Sequence, residues 1–311
     1  MLSRNKNGPA ASGESRKPFS ASARNLLVIL FGEFCGTFMF LLLSFIGTQN
    51  AILTNNLTDS TAPLQPFSLI FIAASFGTAL TVNVWIFYRI SGGMFNPAVT
   101  LGLVLVGAVK PVRGLFIVPT QLIAAIAAAA VTDGLIPGPL GVANTLGSGA
   151  STAQGLFLEM FLTAQLVLTV YFLAVEKHRG TFLAPIGIGM SVFIAHIAGV
   201  KWTGTSVNPA RSFGPAVIVG FTHYHWIYWL GPFMGAILAF VVYTTFKWLE
   251  YQTANPGQDA DGVDLEKANS FHIRTDDTAM PAGGRLDDFP RPIKTHVRND
   301  SVVEGQMSPT M

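Results

Sequence analysis

Six stretches of this chain stay apolar for longer than a soluble core element needs, at about 26–48, 67–88, 114–132, 155–175, 182–200 and 226–248. A helix needs about 20 such residues to cross the hydrocarbon of a bilayer, and each stretch meets or nearly meets that length. Charged residues make up 12% of the chain and hydrophobic ones 50%, whereas a soluble domain carries roughly a quarter charged residues. Most of the chain therefore faces lipid or other helices, and an all-α membrane protein is expected. The first stretch follows a basic N-terminus but exceeds the roughly 7 to 15 apolar residues of a signal-peptide core, so it is predicted to be a retained helix.

An even number of crossings puts both termini on one side. Arg4, Lys6, Arg16, Lys17 and Arg24 precede the first stretch, Arg89, Lys110 and Arg113 lie between the second and third, and Lys177 and Arg179 join the fourth to the fifth. The loops 49–66 and 133–153 contain no Lys or Arg. By the positive-inside rule both termini are cytoplasmic, and the plasma membrane is the expected location. The net charge of +2 does not argue for nucleic acid as a partner. Cys35, the single cysteine, excludes a disulfide framework or a cysteine metal cluster. No HExxH, CxxC or P-loop string occurs, so neither an enzyme, a cofactor nor a metal is expected.

Two further segments, 94–106 and 207–220, are too short to span the membrane and too apolar for ordinary loops. They carry the same triplet, Asn96-Pro97-Ala98 and Asn208-Pro209-Ala210, spaced by 208 − 96 = 112 residues. Other marks recur: Glu33 with Thr37 matches Glu159 with Thr163, and Pro119 answers Pro232. The chain is internally duplicated, about 26–132 and 155–248, and three crossings per copy give the two copies opposite orientations. Inverted repeats of this kind place their functional site near the midplane, where broken helices meet. The expected architecture is six transmembrane helices plus two re-entrant half helices.

Asn before Pro is a helix-start signal. Asn caps through its side-chain oxygen, and Pro at the first helical position gives up only an N–H that is unpaired anyway. A lone Asn-Pro-Ala is no more than a cap; two in inverted repeats bring two positive helix ends together at mid-depth. The amide NH₂ of Asn96 and Asn208 is then expected to face a lumen and donate to passing water. The same field opposes cations, hydronium included. Irregular backbone at that depth is tolerated only beside a wet cavity or within protein, so a pore is expected.

The runs Ile90-Ser91-Gly92-Gly93-Met94-Phe95-Asn96-Pro97-Ala98-Val99-Thr100 and Thr203-Gly204-Thr205-Ser206-Val207-Asn208-Pro209-Ala210-Arg211-Ser212-Phe213-Gly214 resemble the signature loops of the aquaporin family. The similarity extends over 26–249 and includes Glu33, Gln121, Glu159 and Trp226-Ile227-Tyr228-Trp229-Leu230-Gly231-Pro232. It implies a homotetramer with one pore per protomer and a second, narrower filter formed by Phe76, His196, Thr205 and Arg211. That set is similar to water-selective members; glycerol-conducting relatives carry a small residue in place of His196 and an Asp where this chain has Ser212. The resemblance also implies that Glu33 and Glu159 accept hydrogen bonds from the re-entrant loops, rather than relaying protons as membrane carboxylates elsewhere do.

The expected function is passive water conduction that excludes protons and ions. A facilitator of glycerol or hydrogen peroxide in the same fold is the alternative, ahead of a secondary transporter or a non-conducting structural protein. The tails 1–25 and 250–311, rich in Pro, Gly, Ser, Asp and Arg, are expected to be disordered. Asn56 in Asn56-Leu57-Thr58 is a glycosylation acceptor in a loop expected outside the cell. His178 is taken as a solvated loop histidine.

Overall fold

A computed structural model describes residues 20–54, 65–147 and 149–255. Asn56 and most of both tails lie outside the described residues. Six helices are long and apolar enough to cross a membrane: α1 (Ala21–Thr54), α2 (Pro66–Phe87), α4 (Pro111–Leu135), α5 (Thr152–Val170), α6 (Ala184–Thr203) and α8 (Ile227–Trp248). Two short helices stand between them, α3 (Pro97–Leu105) and α7 (Pro209–Val219). No strand occurs among the described residues.

Helix ends follow local chemistry. Pro starts α2, α3, α4 and α7, where a missing N–H costs nothing. Ser151 and Gln154 form a capping box at the start of α5. At its other end α5 runs on as a π-helical turn, Tyr171–Val175. The first helix is longer than its apolar core: its 34 residues make about 51 Å at 1.5 Å per residue, so its ends project beyond a hydrocarbon layer of ~30 Å. Between Ser20 and Thr54 no Pro interrupts it.

The two copies of the repeat correspond element by element, α1–α4 to α5–α8, and the packing obeys the exchange. Helix α1 lies against α4 as α5 lies against α8, and α1 against α2 as α5 against α6. Each half helix crosses to the other copy, α3 onto α8 and α7 onto α4. Helices α2 and α6 cross at Gly77 and Gly189, and 189 − 77 = 112 is again the motif spacing. A Cβ on Gly189 would come within 2.5 Å of the Gly77 carbonyl oxygen, so only glycine permits that approach. A Cβ on Gly214 would likewise sit 2.4 Å from the Ala125 carbonyl oxygen, where α7 packs on α4.

Burial differs from that of a soluble protein at both surfaces: large apolar side chains face outward, and polar groups gather within an otherwise apolar core. Phe31, Phe67, Leu115, Ile123, Phe161 and Trp248 are exposed, while Glu33, Gln121, Glu159, His196, Asn96, Asn208 and Arg211 are buried. Apolar surface facing outward fits lipid, and polar groups collected inside are costly unless each is paired or wetted.

The start of α1 and the end of α8 share one end of the bundle with Arg89, Lys110, Arg113 and Lys177; we call it the basic end, and its opposite the far end. At the basic end Glu176 accepts from the Tyr243 hydroxyl and pairs with Lys247 at 3.0 Å. Partial burial alone would raise the Glu176 pKa, but the Tyr243 hydrogen bond and the Lys247 charge outweigh it and hold the carboxyl below its ordinary range. Tyr171, whose ring lies 4.9 Å from that of Tyr243, donates to the Gly102 carbonyl at 2.8 Å and so ties α5 and α8 to the half helix α3. His178 is not simply solvated. Its Nε2 donates to the Phe172 carbonyl at 3.1 Å and its Nδ1 accepts from the Gly180 N–H at 3.1 Å, because the loop folds back on the π turn.

Candidate functional site

The two half helices begin at Pro97 and Pro209, each with its Asn as the cap, inside the apolar runs 94–106 and 207–220. Each Asn must leave helical geometry to cap, and both do, with φ of −154° at Asn96 and −153° at Asn208. The residues before them are extended or left-handed, with φ of 51° at Phe95, 51° at Thr205 and 45° at Val207. Left-handed Val and Phe are strained, and the strain is held by hydrogen bonds.

Glu33 and Glu159 supply those bonds. Glu33 Oε1 accepts from Ser91 Oγ at 2.7 Å and the Met94 N–H at 3.1 Å, and Oε2 accepts from the Phe95 N–H and Gln121 Nε2, both at 2.9 Å. Glu159 Oε1 accepts from Thr203 Oγ1 at 2.6 Å and the Ser206 N–H at 2.8 Å, and Oε2 accepts from the Val207 N–H at 2.8 Å. Ser91, Met94 and Phe95 correspond to Thr203, Ser206 and Val207 at the spacing of 112. Each carboxylate thus satisfies backbone donors that lipid could not.

Between the two loops the asparagines meet. Asn96 Oδ1 accepts from the Ala98 N–H at 2.8 Å and Asn208 Oδ1 from the Ala210 N–H at 3.0 Å. Their amides cross over: Asn96 Nδ2 donates to the Val207 carbonyl at 2.7 Å and Asn208 Nδ2 to the Phe95 carbonyl at 2.9 Å. Sequence reasoning aimed both amide hydrogens at a lumen. One hydrogen of each instead locks the loops together, and the second is left for a ligand in the cavity.

Toward the far end Phe76 of α2, His196 of α6 and Arg211 of α7 converge. The Phe76 and His196 rings stack with centroids 4.1 Å apart and planes 22° from parallel, and the Arg211 guanidinium lies 5.0 Å from the Phe76 centroid. His196 Nδ1 lies 2.8 Å from the Val192 carbonyl. That oxygen can only accept, so Nδ1 carries a proton, and in the singly protonated ring Nε2 is an acceptor. Arg211 Nη1 donates to the Val142 carbonyl at 2.7 Å and Nη2 to the Gly204 carbonyl at 3.4 Å. His196 Nε2 and Arg211 Nε, an acceptor and a donor, are buried without a protein partner; buried polar atoms left that way call for water or a polar solute. Thr205 is buried nearby, its Oγ1 3.4 Å from the Ala195 carbonyl.

A cavity of about 470 Å³ joins the two clusters to the basic end. Phe76, His196 and Arg211 line its far-end limit, Asn96 and Asn208 its middle, and Arg113 and Lys177 its mouth. Its walls are largely aliphatic, with Leu80, Val84, Val170, Ile188 and Val192 among them, and Thr205 is not one of its lining residues. Chemically the arrangement offers a few fixed donors and acceptors along an apolar tube. Among the described residues no cluster of His, Cys, Asp or Glu could hold a metal ion.

Several contributors escaped the sequence. Val142 and Gly204 act through carbonyl oxygens, which every residue type has. Asn144 donates to the Thr203 carbonyl at 3.1 Å and accepts from Ser212 Oγ at 2.8 Å, bracing the second loop; an Asn in a loop free of basic residues is its only sequence signal.

The family described as major intrinsic protein matches residues 21–243. Over 284 residues the chain is 66% identical to Aquaporin-1 of Gibberella zeae, a match covering 91% of this chain and 89% of that protein. It is 48% identical over 302 residues to Aquaporin-8 of Botryotinia fuckeliana, covering 92% and 88%. Aquaporin-7 of the same fungus is 56% identical over 244 residues, 77% of this chain, but the match spans only 54% of that relative. Among solved structures, the aquaglyceroporin from Plasmodium falciparum superposes with a TM-score of 0.58 at 22% identity, covering 71% of this chain and 95% of that one. That likeness speaks to the fold alone.

Proposed function

We propose that this chain, which belongs to the major intrinsic protein family, the aquaporins, is a passive water channel whose pore excludes protons and ions. Members of the family are channels rather than enzymes, and the chain is an integral membrane protein that conducts water or small solutes. The finer reading rests on one observation: the stacked Phe76 and His196 rings beside the Arg211 guanidinium. Two bulky rings leave room for little more than a single water, and Arg211 opposes cations while His196 Nε2 accepts from the water it passes. Glycerol needs a wider opening and more apolar wall.

Past the filter, water meets Asn96 and Asn208. The half helices hold 9 and 11 residues, or about 14 and 17 Å at 1.5 Å each, together about one hydrocarbon thickness. Their positive ends converge at the asparagines, so the potential for a cation peaks there. A water oxygen accepting from both free amide hydrogens turns its own hydrogens away along the pore, which breaks a proton wire.

In this reading residues 26–249 form the channel domain, Glu33 and Glu159 brace the half helices, and the basic end is cytoplasmic in the plasma membrane. Four copies assemble, each with its own pore. The test is stopped-flow light scattering on proteoliposomes: fast water efflux with glycerol uptake at the lipid background supports the reading, and the reverse pattern refutes it. Replacing His196→Gly together with Phe76→Ala should admit glycerol; uptake still at background would mean the filter lies elsewhere.

A further inference from the structure

The far-end half of α1 carries two buried residues that neither motif nor repeat explains. We propose that Phe45 and Gln49 are positioning residues that hold the Arg211 guanidinium in the constriction and thereby set which solutes are refused; this rests on the filter reading above. They stand one turn apart on α1 and therefore share a face of the helix. Phe45 is fully buried. Its ring centroid lies 5.6 Å from Arg211 Cζ, and the ring meets Phe76 edge-on at 6.4 Å and 73°. With Phe76 at 5.0 Å, the guanidinium lies against two adjoining aromatic rings, where a desolvated cation gains most from ring quadrupoles.

Gln49 acts on the same group through the backbone. It is 1% exposed, and both ends of its amide are taken by the loop after α4: Nε2 donates to the Pro139 carbonyl and Oε1 accepts from the Gly141 N–H, each at 2.9 Å. The next residue, Val142, presents the carbonyl that Arg211 Nη1 grips at 2.7 Å. Clamping 139–141 thus fixes the acceptor that aims the arginine. A buried glutamine on a membrane helix is costly without such partners, and here both of its bonds serve one loop.

The test uses the full chain in proteoliposomes and compares the ratio of urea and sodium leak to water permeability among wild type, Arg211→Val, Phe45→Leu, Phe45→Tyr and Gln49→Leu. Arg211→Val sets the fully relaxed ratio. Phe45→Leu and Gln49→Leu should each raise the wild-type ratio roughly three- to tenfold, and Phe45→Tyr, which keeps the ring, should restore exclusion. Adding Phe45→Leu to Arg211→Val should raise the ratio no further, because both act through one group. Wild-type ratios in Phe45→Leu and Gln49→Leu beside a leaky Arg211→Val would overturn the positioning role while leaving the filter intact. An additive double variant would overturn it as well. An Arg211→Val that excludes as well as wild type would remove the filter reading and this proposal with it. Should Phe45→Leu fail to assemble, Gln49→Leu decides alone.

Discussion

The proposed outer constriction and its counterpart in the other repeat are built on the same backbone and filled differently. Shifting by 112 residues takes Phe76 to Ile188, His196 to Val84, Thr205 to Gly93 and Arg211 to Val99. All four counterparts line the same cavity toward the basic end, and none carries a charge or an aromatic ring. By contrast, the loops nearer the middle keep their chemistry in both copies, with a carboxylate, a hydroxyl donor and a capping Asn in each. The difference separates two jobs. Whatever holds the half helices must be done twice, because each repeat buries the same orphaned N–H groups; whatever selects solute need be done once along a tube.

The strongest way to break this comparison is at the carboxylates. Glu159→Leu would strand the N–H groups of Ser206 and Val207 and leave Thr203 Oγ1 only the Gly199 carbonyl at 3.4 Å, at about 1 to 3 kcal/mol for each stranded donor. That rivals a typical net stability of about 5 to 15 kcal/mol, so folded protein should be largely lost. Glu33→Leu should do the same through Ser91, Met94, Phe95 and Gln121. Detergent-solubilised yield on size exclusion measures both, and one variant surviving intact would show that the repeats do not share the load.

Next come the caps. Asn96→Ala and Asn208→Ala each remove a cap and a crossing bond, for a loss of roughly 2 kcal/mol. Thermal unfolding should show the two alike within error, and the pair together should cost less than their sum because they share one interface. A smaller effect sharpens the filter side: Val84→Ala, the counterpart of His196→Gly, should leave glycerol at background in the same uptake assay. If it admits glycerol, selection is spread along the tube.

The smallest effect concerns pH at the basic end. Because the folded Glu176 carboxyl titrates below its ordinary range, its ties to Tyr243 and Lys247 contribute fully above the unfolded value of about 4.3 and are lost as pH falls through the lowered folded value. Thermal stability should therefore drop on acidification more in wild type than in Glu176→Gln. The pair is partly exposed, so the difference should be slight and shrink further in salt.

Much of this was legible in the chain itself, and for local reasons. The six crossings follow from apolar length, and the starts of α3 and α7, at Pro97 and Pro209, from Asn-Pro. Pairing of Glu33 with Glu159 showed as a recurrence. The proposed filter is different: Phe76 on an apolar helix looks like any packing residue, and only family likeness singles it out. The contacts of His178 are not legible, because nothing in its neighbours announces a loop folded back on a π turn.

What the sequence by itself determined is whatever depends on a residue and its near neighbours: helices that must pair their own backbone in lipid, caps that must start them, and a duplication that must invert. What only the tertiary structure decided is which groups from distant segments share a space. The crossed asparagine amides, the ring stack, and the Phe45 and Gln49 supports for Arg211 all depend on how helices are rotated against each other. Val142 contributes a carbonyl, and a carbonyl has no side-chain identity to leave in a sequence.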